Sequence, residues 1–171
     1  MAQSHQNRIH ASVSAFQTES DALILALERL NDDVATRAPQ EGGWNAAQIG
    51  IHVAITNDFL AGILTGTVPV AIPAPAGFAE NPEVFKNAPT KIETFPQLQP
   101  PPAATRVQAI ETLRESAGTT VKAIESLDPE RAAKYCVPFP IGQLSMYQLA
   151  DFIGGHVMRH HHQLRRATTG R

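Results

Sequence analysis

A single cysteine among 171 residues leaves the chain without an internal disulfide, which fits a reducing compartment and makes the cytoplasm the expected location. That thiol, Cys136, has no acid–base partner beside it in sequence, so a small buried apolar residue is the plain alternative to a nucleophile. Excess charge is also scarce. With a net charge of -2 the chain has no phosphate-neutralising surface, which argues against a nucleic-acid or acidic-membrane binder. Nothing resembles a signal peptide or a membrane span. The only basic gathering, Arg159, Arg165, Arg166 and Arg171, reads either as a solvated helix end or as an anion site.

What remains is enough for one domain, residues 1–171, with a core that needs no staples. Four segments carry a helical period. In the first, about Ser4 to Leu30, Ile9, Val13, Phe16, Leu23, Leu27 and Leu30 fall at threes and fours, with Ser20 in the one gap. Asn31-Asp32-Asp33 and Ala38-Pro39 end it. The second begins at Asn45, an N-cap with Gln48 at the reciprocal position, and runs inward through Ile49, Val53, Thr56, Phe59, Leu60 and Ile63. The third, about Ala103 to Leu127, places Val107, Ile110, Leu113, Ala117, Val121, Ile124 and Leu127 on one side and closes at Asp128-Pro129. Ser145 and Gln148 repeat the capping arrangement at the start of the fourth, whose inner stripe is Leu149, Phe152, Ile153, His156, His160, Gln163 and Leu164. Tyr135 to Gly142 reads as an extended piece outside any sheet, because no partner strand is evident.

Between the second and third helices, residues 66–102 hold nine of the thirteen prolines. Pro69, Pro73, Pro75, Pro82, Pro89, Pro96 and Pro100-Pro101-Pro102 forbid a long helix and deny a strand its ladder donors. A connection of this length is a crossover or a flap covering a site. It also lets two successive helices run parallel, so the fold predicted is an all-α four-helix bundle, up-down-down-up.

Histidine is where this otherwise ordinary composition turns unusual. His156 and His160, four apart, project from one helix face about a turn from each other. His52 sits on the inward stripe of the second helix, where a core histidine bonded to a carbonyl is the alternative to a ligand. It lies about 10 Å past its cap, and His160 a similar distance before the end of the fourth helix near Arg166, so antiparallel neighbours bring the rings level. Three such imidazoles leave positions open on a metal ion, unlike a closed four-ligand structural site. His161 and His162 point elsewhere around the helix and read as solvated, while His5 and His10 sit near the chain start. Gly154-Gly155 before His156 is an odd choice in a helix interior, which close approach of another helix would explain. Gln48, Gln163 and Arg159 flank the ligands as candidate pocket-lining groups, with a salt bridge to a neighbouring helix as the alternative for the arginine. No Asp or Glu follows either ligand group in a metalloprotease pattern, which disfavours peptide hydrolysis.

Gly43-Trp44-Asn45-Ala46-Ala47-Gln48 leading to His52, and Pro138 to Gln148 leading to His156-Val157-Met158-Arg159-His160-His161-His162-Gln163, resemble the DinB/YfiT-like metal-binding four-helix proteins over nearly the whole chain. The resemblance implies a divalent ion, nickel or zinc, on His52, His156 and His160, and a homodimer. It also implies a metal-dependent S-transferase using a low-molecular-weight thiol, or a hydrolase acting on a small-molecule substrate. A noncatalytic metal-binding or stress-associated dimeric interaction module is the alternative.

Overall fold

The computed structural model describes residues 2–40, 42–86 and 94–169, so Pro89 and Arg171 lie outside the described residues. Four long helices form the body: α1 (Ala2–Glu28), α3 (Ala46–Thr65), α4 (Arg106–Glu125) and α6 (Met146–Thr169). Between them come two short helices, α2 (Asp32–Thr36) and α5 (Pro129–Lys134), and three short strands, β1 (Ile72–Pro73), β2 (Tyr135–Phe139) and β3 (Gly142–Ser145).

Side-chain pairs give the helix directions. Contacts ascend together along α1 and α6, where His5 meets Tyr147, Ser12 meets Asp151 and Phe16 lies against Gly154. They also ascend together along α3 and α4, where Gly50 faces Ala109 and the Ala54 carbonyl accepts from Ser116 Oγ at 3.0 Å. The end of α1 lies beside the start of the other pair, with Leu27 against Gly50 and Glu28 bonded to Arg114. The bundle therefore runs up-down-down-up, and the proline-rich crossover joins the two parallel neighbours α3 and α4.

The apolar stripes meet in one core, with Phe16, Leu23, Leu27, Ile49, Leu60, Ile63, Leu113, Ile124 and Leu149 fully enclosed. Although α3 is long and apolar enough to cross a bilayer, most of it is buried inside the bundle. It stops at Gly66, whose φ of 87° suits a residue without Cβ and whose N–H donates to the carbonyls of Gly62 and Ile63. One expected core position is wrong. Val107 is 52% exposed, because α4 is turned so that Ala109, Ser116, Thr120 and Ala123 share its inner face with Ile110, Leu113 and Ile124.

The extended piece after α5 is also corrected, since it is a strand. β2 pairs antiparallel with β3, in register Cys136↔Ser145, Val137↔Leu144, Pro138↔Gln143 and Phe139↔Gly142. β1 adds on the other side through Ile72↔Cys136 and Pro73↔Tyr135. One partner is the chain folding straight back on itself and the other comes from the crossover. Pro138 lies past the two-residue β1, where β2 has an open side and a residue without N–H is tolerated.

The crossover is pinned to the bundle at several points. Val84 and Leu98 are buried. Glu80 accepts from Arg8 at 2.7 Å and from Ser145 Oγ at 2.6 Å. The Asn81 carbonyl accepts from Gln148 Nε2 at 2.8 Å. α1 comes near at Gly154 but does not require a glycine there, since a methyl would make ordinary contact 3.5 Å from the Phe16 backbone. Nothing crowds Gly155, and its glycine has no packing reason.

Candidate metal centre

The site begins with a helix start. Asn45 Oδ1 accepts from the Gln48 N–H at 2.9 Å, and Gln48 Oε1 accepts from the Asn45 N–H at 3.1 Å, a reciprocal cap that fixes where α3 begins. His52 follows two turns later, buried at 3% exposure. Ser145 and Gln148 make the same pair of bonds at the start of α6, at 3.0 and 3.2 Å. His156 and His160 then lie on the face of α6 turned toward α3. Antiparallel packing brings the three rings together, with centroids 5.4 Å apart for His52–His156, 4.7 Å for His52–His160 and 4.4 Å for His156–His160.

One nitrogen from each ring lies within 4.8 Å of the others. Three nitrogens about 2.1 Å from one tetrahedral ion sit about 3.4 Å apart, so small ring rotations separate this arrangement from a ligand set. Hydrogen bonds select which nitrogens converge. His52 Nδ1–H donates to the Leu98 carbonyl at 2.8 Å, and His160 Nδ1–H donates to Gln163 Oε1 at 2.7 Å. In both rings the acceptor fixes the tautomer and leaves the Nε2 lone pair free. His156 lacks such a partner, and its Nδ1 is buried without a hydrogen bond. A sealed polar atom left unmatched beside two oriented imidazoles fits a set of residues that would hold an ion.

Electrostatics favour the neutral rings that ligation requires. Burial lowers the His52 pKa, against a smaller opposing effect of the Leu98 bond. His156 is held well below the usual imidazole range, first by burial and then by the charges that His160, His52 and Arg159 would place beside it. Burial, and then His52, bring His160 down to about 3, the Gln163 bond working the other way and Arg159 adding to the depression.

The flanking residues have distinct places. The amide nitrogen of Gln48 donates to the carbonyls of Pro102 and Pro101 at 3.2 and 3.4 Å, so this side chain serves the cap and the crossover. Gln163 orients His160. Arg159 is exposed, yet near enough to oppose protonation of two of the three rings. The remaining histidines stand apart from the trio: His161 and His162 contact each other with centroids 6.3 Å apart, His5 bonds Tyr147 at 2.7 Å, and His10 is exposed on α1. Cys136 is buried in β2, where burial raises its thiol pKa, the opposite of an activated nucleophile.

Three neighbours escape a reading of the sequence. The Leu98 carbonyl is backbone and leaves no residue signature. The Trp44 ring lies 4.5 Å from His52, tilted by 41°; its place just before the cap was the available signal. Phe152, one turn before His156, brings its ring to 6.0 Å, which helical spacing shows but core packing explains equally well.

Residues 15–164 match the family model described as the DinB superfamily. No curated protein and no solved structure matches the chain. With a single model covering most of its length, the chain belongs to the DinB superfamily.

Proposed function

We propose that His52, His156 and His160 hold one divalent ion, nickel or zinc, and that the protein is a metal-dependent transferase acting through a low-molecular-weight thiol. The observation that carries this reading is the convergence of three neutral imidazoles from two helices, two of them with Nδ1 already committed to Leu98 and Gln163. Three ligands leave room for a fourth group from outside the protein. A divalent ion in such a site supplies a positive charge that lowers the pKa of a thiol or water taken as its next ligand.

Thiol chemistry is preferred to hydrolysis because of what stands beside the rings. Among the described residues no carboxylate joins the three histidines at ligand distance, so no side chain within the ligand set is placed to take a proton from water. A thiol is the more acidic group and needs less help. In the transfer, sulfur bonds to an electrophilic carbon, the leaving group departs with its electron pair, and the thiol proton passes to solvent. The chain's own residues hold the rings in register: the two capping boxes set the helix starts, and Leu98 and Gln163 fix the tautomers.

Trp44 provides a direct test, since it is the single tryptophan and its ring touches that of His52. Nickel titrated into protein made without an affinity tag is expected to quench its emission at one equivalent, and His160→Ala is expected to weaken that response by at least about a hundredfold. The loaded protein is then expected to speed conjugation of 2-mercaptoethanol to 1-chloro-2,4-dinitrobenzene, and to hydrolyse 4-nitrophenyl acetate no faster than the His160→Ala variant does. Quenching without either reaction would leave a noncatalytic metal-binding protein. No quenching would remove the metal site.

A further inference from the structure

The burial of the three rings is uneven. His52 and His160 are 3% and 8% exposed, whereas His156 keeps part of its surface open even though its Nδ1 is sealed. Of the three rings, His156 is therefore the one that solvent touches most. Aromatic rings adjoin it. Phe152, one turn earlier on α6, lies 6.0 Å from the His156 ring. Phe139 of β2 packs edge-on against Phe152 at 4.7 Å. Phe85 of the crossover stacks on Phe152 at 6.4 Å with its plane turned by 28°, and it is 40% exposed. The rings thus form an unbroken run from solvent to the imidazoles, built from three separate parts of the chain.

We infer that Phe85, Phe139 and Phe152 form the specificity wall of this site, against which the small molecule reaching the three histidines lays a planar apolar group, aromatic or unsaturated. This inference rests on the metal-dependent reading given above. A partly exposed phenylalanine stacked on a half-buried one keeps an aromatic face in water, where a flat apolar group gains area and stacking by covering it. Binding sites are commonly apolar walls with a few convergent polar groups, and here the imidazoles supply those groups. The wall starts within one ring's reach of the cluster, which places the planar group next to the reacting atom and not at the far end of a long ligand.

The test uses the full-length, nickel-loaded protein and two thiols of similar acidity, benzyl mercaptan and 2-mercaptoethanol, with binding followed by calorimetry. The wall predicts that benzyl mercaptan binds at least about tenfold more tightly, the equivalent of burying part of one ring. In Phe85→Ala and in Phe152→Leu the preference is expected to fall below about threefold, while nickel quenching of Trp44 keeps its midpoint within about twofold. Phe85 is exposed, so its truncation leaves the core intact and keeps the test open should Phe152→Leu disturb packing. Nickel binding without a preference for the aromatic thiol, or a preference that both variants retain, would overturn the wall alone. Absence of nickel binding would overturn both the site reading and the wall.

Discussion

His52 donates its Nδ1 proton to the carbonyl oxygen of Leu98 at 2.8 Å, a bond between residues 46 positions apart. It makes the crossover part of the candidate metal centre. The carbonyl is presented by a short 3-10 turn, Pro96–Leu98, and the turn is seated because the Leu98 side chain is buried. Leu98→Ala is expected to loosen that seat, costing about 2 kcal/mol in urea unfolding at the low end for a buried leucine. It is also expected to weaken nickel binding about tenfold in a Trp44 titration, as losing an outer-shell partner does. Unchanged affinity would show that the carbonyl does not orient the ring.

Gln163 plays the corresponding part for His160, but from a side chain, so it can be tested without disturbing backbone. Gln163→Leu removes the acceptor and is expected to lower nickel affinity about 10–100-fold. Gln163→Glu supplies an acceptor of the same reach and is expected to restore most of it. Equal affinities for the two variants would assign Gln163 to ordinary bonding at the bundle end.

The pattern of what was legible in the sequence follows from the range of each interaction. Helical stripes such as Ile9-Val13-Phe16 and the caps Asn45/Gln48 and Ser145/Gln148 are local, and periodicity with capping chemistry showed them. The meeting of His52 with His156 and His160 was legible because two facts, helix depth and a crossover long enough for parallel neighbours, set their level. The β sheet was not, since the Ile72↔Cys136 pairing joins segments that propensity reads independently. Val107 was misplaced because a stripe of large residues ignored the small ones, Ala109, Ser116, Thr120 and Ala123, that form the actual contact face. The contacts of Phe85 with Phe152 and of Leu98 with His52 showed only once the crossover lay on the bundle.

Glu80 fixes that crossover to the start of α6 and gives its attachment a pH dependence. Burial pushes its carboxyl up, but the bonds from Arg8 and Ser145, with the arginine charge, outweigh this and hold the pKa below the usual 4.5. A depressed carboxylate stabilises the fold fully above its unfolded value, and that contribution is lost as pH falls through the lower folded value. Glu80→Gln is therefore expected to lower the melting temperature at pH 7. The effect should be small, because both partners are about a third exposed and a pair of this kind contributes at most about 1 kcal/mol. The difference between wild type and variant should shrink steadily below pH 4.5. A difference that persists undiminished at acid pH would mean that shape, and not charge, seats this part of the crossover.

Gly50 controls how closely the helices that carry and support the site can approach. A Cβ at this position would stand 3.0 Å from Ala109 Cβ on α4 and 3.0 Å from Leu27 Cδ1 on α1, with Leu113 Cδ1 at 3.3 Å. The first neighbour is a short side chain fixed to a helix and cannot swing away. Gly50→Val is expected to push α3 from α4 and to cost about 1–3 kcal/mol in urea unfolding, as overpacked cores do. The displacement would also carry His52, two residues on, away from α6. Nickel quenching of Trp44 in Gly50→Val should then weaken beyond what the lost stability explains, measured at a urea concentration where the variant is still fully folded. Gly154→Ala provides the contrast, because its methyl would make ordinary 3.5 Å contact with the Phe16 backbone. There the better helix propensity of alanine should leave stability unchanged or raise it by up to about 1 kcal/mol, with nickel binding intact.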